Sequence, residues 1–181
     1  MAYIKCQFNA PAGVAPVDMP TYDTQISALT HDNDPASATW ITTRTGYFSI
    51  GSTTLYAEFQ TASGTSSDEV TARAHLKLVN TYDVSATSKI QLKAKLYRAN
   101  IDSTHWVQYT VNAMYKGNVV ASSTPVKYTS SNSTPGEPVI EVDLSGVSRI
   151  DEIRLDMTRK GRNSSGVQGY AFTTGNYIKF V

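Results

Sequence analysis

The sequence predicts an all-β chain, an antiparallel two-sheet β-sandwich of jelly-roll type with an extended N-terminal arm and very little helix. Three observations carry this. Several segments alternate apolar and polar residues strictly, as half-buried strands do. No window of about fifteen residues holds an apolar stripe at helical spacing, and Ser, Thr, Gly and Asn recur too often for long helices. The 181 residues are 17% charged, yet they include 41 Ser and Thr and 11 Tyr, side chains that suit pleated sheets with solvated faces. The length fits one domain, divided into an arm at residues 1–20 and a sandwich at 21–181.

From the N-terminus, Ile4, Cys6 and Phe8 alternate with Tyr3, Lys5 and Gln7, and a proline-spaced stretch containing Val14 and Val17 follows. A strand at the tip of such an arm pairs readily with the edge of another subunit, which makes Tyr3, Ile4, Cys6, Phe8, Val14 and Val17 candidate inter-subunit contacts. Covering an edge of its own sheet is the open alternative. Residues 35–38 are expected to form one short helical turn, capped by Asp34 with Pro35 at its first position.

Leu55, Ala57 and Phe59 mark a brief strand. Val70, Ala72, Ala74, Leu76 and Leu78 then face one way, against Thr71, Arg73, His75 and Lys77. Ile90, Leu92, Ala94 and Leu96 repeat the pattern. Residues 106–115 and 119–122 flank Lys116-Gly117-Asn118, where Gly117 and Asn118 are expected to take the positive φ of a tight hairpin. Ile140, Val142 and Leu144 alternate with Glu141 and Asp143, a short helical turn is expected at 147–152, and Ile153, Leu155 and Met157 alternate again. Ile178 and Phe180 share one face of the closing strand at 177–181. That makes eight or nine strands, with polar loops at 61–68, 80–88, 128–137 and 160–169 where specific function would sit.

Sixteen Lys and Arg nearly cancel fifteen Asp and Glu, so steering toward nucleic acid has little electrostatic basis. No apolar run is long enough for a transmembrane helix, and the start lacks the pattern of a signal peptide. Neither nucleic acid nor membrane is an expected partner. One cysteine, Cys6, cannot close an internal disulfide, and its alternation with Ile4 and Phe8 favours packing over reactivity.

Two segments resemble a known superfamily. Val139-Ile140-Glu141-Val142-Asp143-Leu144-Ser145-Gly146-Val147, followed by Ile150-Asp151-Glu152-Ile153-Arg154-Leu155, resembles the late strands of galactose-binding-like jelly rolls, and Asn176-Tyr177-Ile178-Lys179-Phe180 resembles their terminal strand. Near the other end, Leu29 to Trp40 resembles their Asp-Gly-Asp-x-x-Thr-x-Trp loop, with Asn33 in the place of Gly and one extra residue before Thr39. The stretch from Asn33 to Thr43 is similar in style to the opening of small jelly-roll structural proteins of tailed bacteriophages. That likeness implies a non-enzymatic virion protein, a capsid decoration or cement component or a tail accessory, built into a multi-copy or homo-oligomeric assembly with capsid or tail subunits in the host cytoplasm. The alternative is a carbohydrate-binding module with the same fold.

Chemical candidates are few. His31, His75 and His105 are dispersed and match no metal or nucleophile spacing. Asp32 and Asp34, with Asn33, place oxygen ligands in one loop, and related jelly rolls often hold a structural calcium near there. Turn chemistry and capping explain the same residues. No other cofactor is expected. The doublets Asp68-Glu69 and Asp151-Glu152 read as solvated loop charges, since adjacent residues cannot straddle a scissile bond. For glycan stacking, Trp106 and Tyr109 are the candidates, and Trp40 resembles a core residue.

Overall fold

The computed structural model describes residues 26–34, 41–45, 55–61, 66–98, 101–102, 104–129, 136–162, 166–172 and 176–181; β1 is described by its backbone and the Asp32 side chain, and β2 and β3 by their backbones. These residues form thirteen strands and no helix: β1 (Ile26–Asp34), β2 (Ile41–Thr45), β3 (Leu55–Thr61), β4 (Ser66–Asp83), β5 (Lys89–Lys93), β6 (Lys95–Tyr97), β7 (Val107–Tyr115), β8 (Asn118–Ser122), β9 (Val126–Tyr128), β10 (Val139–Asp143), β11 (Arg149–Arg162), β12 (Gly166–Phe172) and β13 (Tyr177–Phe180). Every pairing is antiparallel.

One layer is a six-stranded sheet in the order β1-β4-β11-β7-β8, with β9 also on β7. Opposite it lie two smaller sheets, β2-β3-β12-β6 and β10-β5-β13. Only the fully buried Ala94 separates β5 from β6, so one line of chain joins the two smaller sheets into a second layer. The chain passes repeatedly between layers, which leaves non-consecutive neighbours in each sheet. This is the sandwich that alternation predicts, with more and longer strands than the eight or nine expected.

The core is one cluster, and the parity of each strand decides which side chains enter it. Val70, Ala72, Ala74 and Leu76 of β4 meet Ile90, Leu92 and Leu96 of β5 and β6, Val107, Tyr109 and Val111 of β7, and Ile153, Leu155 and Met157 of β11. Two tyrosines cross between the layers. Tyr109, on β7, donates its hydroxyl to the Tyr97 carbonyl on β6. Tyr170, on β12, reaches the carbonyls of Thr110 and Asp156 at 3.2 Å each. Their rings pack edge to face, 5.2 Å between centroids, so both phenols bury large aromatic area with their polar tips bonded.

Several expectations change. Polar stretches taken for loops carry strand: β4 extends through Asp83, and β11 through Arg162, because ladder hydrogen bonds join backbones whether or not both faces are apolar. The helical turn expected at 147–152 is a tight turn instead. Gly146 sits at φ 80°, Val147 N–H donates to the Leu144 carbonyl at 2.8 Å, Val84 N–H to that of Ser148 at 2.9 Å, and Arg149 opens β11. The β7–β8 hairpin forms one residue earlier than read, with positive φ at Lys116 (50°) and Gly117 (78°), while Asn118 already pairs with Tyr115. The turn expected at 35–38 and the arm at 1–20 lie outside the described residues.

Candidate contact surface

The outward face of the six-stranded sheet carries the most organised polar chemistry among the described residues. Alternation on β4 turns Thr71, Arg73, His75 and Lys77 away from the core. On β11 a register shift between Ile150 and Glu152 resets the parity, so Glu152, Arg154, Asp156 and Thr158 share that outward face. The ladder then sets Glu152 opposite Lys77, Arg154 opposite His75, Asp156 opposite Arg73 and Thr158 opposite Thr71, with Asp32 of β1 facing Arg73 from the other side.

Cross-strand neighbours therefore bond. Glu152, only 2% exposed through its side chain, accepts from Lys77 and meets His75 Nδ1 at 2.5 Å. The other ring nitrogen of His75 lies 3.0 Å from Asp32 Oδ2, and Arg73 reaches Asp32 Oδ1 at 3.5 Å. Arg154 grips Asp156 with two parallel bonds of 2.7 and 2.9 Å, and the Thr71 and Thr158 hydroxyls are 2.8 Å apart. Burial pushes the Glu152 carboxyl up, but hydrogen bonds from Lys77 and His75 outweigh it and hold it below the usual carboxylate range. The result is a patch of three carboxylates, three Lys and Arg cations and one imidazole, paired across strands and along β11.

A second polar cluster lies at the loop after β6 and around β9. Lys127 Nζ stands 4.0 Å from the Trp106 ring centroid, and the Arg98 guanidinium 3.9 Å from that of Tyr128. Asp102 Oδ1 gathers the N–H of Thr104 (2.7 Å), the Thr104 hydroxyl (2.7 Å) and the N–H of His105 (2.8 Å). Those bonds, the Thr104 hydroxyl first, hold the Asp102 carboxyl well below its ordinary range. This is a self-capped turn.

The sequence-stated candidates separate. Asp32 is paired with Arg73 and His75. The Asp34 side chain lies outside the described ones, and among the described residues no group of three or more His, Cys, Asp and Glu could hold a metal ion. Trp106 is half-buried at the rim. Tyr109 is corrected: at 0% exposure, on the inward face of β7, its ring packs against Tyr128 and Tyr170 and offers no stacking surface to a glycan. Glu152 is corrected too, from a solvated loop charge to a buried strand carboxylate. Tyr3, Ile4, Cys6, Phe8, Val14 and Val17 lie outside the described residues.

Sequence reasoning missed Arg159. It continues the inward parity of Ile153, Leu155 and Met157, is fully buried, and donates Nε to the Gly161 carbonyl at 2.8 Å. Burial draws its guanidinium down to about 10.

Fold and surface together define an all-β antiparallel sandwich with a charge-compensated sheet face. No protein-family model and no curated protein matches the sequence. A solved structure of carbohydrate-binding modules from the β-sandwich superfamily, from work on their promiscuous specificity, is similar over 88% of this chain at 13% sequence identity and a TM-score of 0.47. The chain spans 59% of that protein's length.

Proposed function

We propose that this chain is a non-enzymatic structural module that works by protein–protein contact as one copy among many. The observation that carries the reading is the outward sheet face, where Asp32, His75, Glu152, Lys77, Arg154 and Asp156 are committed to one another. Groups so engaged are poorly placed to take up a substrate proton, and a face without net charge presents its hydroxyls and ion pairs to a neighbouring surface without long-range repulsion. The likeness of residues 33–43 to the opening of phage jelly-roll proteins supplies the finer setting: a capsid decoration or cement protein, or a tail accessory, in a virion assembled in a host cell. No cofactor is required by such a role.

The test is the mass of the full-length protein by light scattering across a concentration series, with and without salt. Multimers that persist as salt rises support contact by compensated surfaces; a monomer at every concentration, failing also to bind isolated particles, would refute the reading.

Trp106 supports a second reading. A half-buried indole at the rim beside Lys127 is the kind of aromatic on which a pyranose stacks. Glycan-array binding lost in Trp106→Ala, with folding intact, would favour a carbohydrate-binding module instead.

A further inference from the structure

Sheet edges are where a β protein is open to a new strand, and natural sequences protect them with charge. Among the described edge strands, β1 carries Asp32 and Asp34, β2 Arg44, β6 Lys95, β9 Lys127, β10 Glu141 and Asp143, and β13 Lys179. β8 alone, Asn118-Val119-Val120-Ala121-Ser122, carries none. Its register on β7 shifts between Ala113 and Met114, which leaves Val120 without an opposite residue. Val119 and Val120 are 47% and 38% exposed. These are the large exposed hydrophobics beside that edge.

We propose that β8 accepts residues 3–8 of a second copy of this chain as an added strand. The proposal rests on the assembly reading above and names its acceptor.

Size selects the kind of occupant. Two valines less than half exposed present an apolar area on the order of one hundred Å², against the roughly 800 Å² per partner that a stable globular interface buries. A single strand needs no such area, because main-chain hydrogen bonds hold it and alternate side chains anchor it. Residues 3–8 have that form, with Ile4, Cys6 and Phe8 alternating with polar neighbours, on a proline-spaced tether.

Topology selects a neighbour's segment over the chain's own. The segment leads into β1, which stands at the opposite edge of the sheet from β8, four strand spacings or roughly 19 Å away. Reaching β8 of its own molecule would lay the tether across Lys77 and Glu152, on the rung that runs from the start of β1 to Val119, and strip water from Lys77. A neighbouring copy reaches β8 from outside the sheet, and many copies raise its effective concentration.

Cys6, the one cysteine in the chain, makes the test direct. Full-length Val119→Cys and Val120→Cys are each oxidised with diamide and run on a non-reducing gel beside Glu69→Cys, an exposed position on β4. Expected are covalent dimers and longer ladders in at least one β8 variant, at least tenfold above Glu69→Cys, and none when Cys6→Ser is added. A monomer with an internal disulfide overturns the proposal in favour of the chain's own segment, and cross-linking no greater than in Glu69→Cys overturns it outright.

In parallel, Val120→Lys should weaken multimer formation by tenfold or more with an unchanged melting temperature. Unaltered multimers would overturn the proposal. Multimers without the Cys6 cross-link leave the assembly reading standing and remove β8 as its acceptor; a chain that is monomeric throughout removes both.

Discussion

Glu152→Gln isolates what the compensated sheet face contributes to stability. The substitution keeps shape and one carbonyl acceptor but removes the charge that holds Lys77 and His75. Charge-assisted hydrogen bonds contribute roughly 1.5–3 kcal/mol each. The Lys77 bond needs discounting, since that side chain is 46% exposed and regains water when released. A net loss of about 2 kcal/mol follows, which in a chain of this length lowers Tm by about 4–8 °C.

The loss should depend on pH in one direction. Glu152 is held below its usual pKa, so its contribution is complete above the unfolded value, about 4.3, and fades as pH falls through the lower folded value. Differential scanning calorimetry of both proteins at pH 7 and near pH 3 checks this. A Tm difference under about 1 °C at pH 7, or a difference that does not narrow in acid, would refute the reasoning.

Other predictions concern separate parts of the fold. Gly136→Ala should lower stability by no more than about 1 kcal/mol in urea melts, because a Cβ there would lie 2.9 Å from the Tyr128 hydroxyl and 3.4 Å from Arg98 Nη1, side-chain ends that can shift to admit it. Burial raises the phenols of Tyr109 and Tyr170 above their ordinary range. Stability should therefore fall as pH rises past about 10, where the unfolded chain loses those protons and the folded one keeps them. Ultraviolet titration should show the two phenols ionising only together with unfolding. Exchanging chelator for calcium should leave Tm unchanged, since Asp32 is engaged with Arg73 and His75; a rise of several degrees would restore the metal site.

How much of this was legible follows from parity. Strict alternation located β4, β5 and β10 with their inward faces, because a residue's side of the sheet depends on position alone, and the glycine turn at Gly117 located β7 and β8. The same rule held the signal for Glu152, since Ile150 and Ile153 break the two-residue period of Ile153, Leu155 and Met157, as an irregular strand does. The acidic doublet at Asp151-Glu152 hid it, for residue type argued for solvent. Arg159 was obscured likewise: parity placed it inward and its charge argued outward. Tyr109 fell on an inward position, yet an aromatic near a hairpin read as a stacking surface. Cross-strand partners were beyond reach, because Glu152 meets His75 and Lys77 through a pairing of β11 with β4 that no local pattern encodes.

The two tyrosines that cross the core act in opposite senses: one is rooted in the six-stranded layer and fastened to the other, and its counterpart is rooted opposite and fastened back. Such reciprocal pegs resist sliding of one layer over the other. A pull applied along β8 would pass through β7 into Tyr109 and its neighbours, so the layers would bear the load together rather than shear apart, and the sandwich would transmit tension as one body.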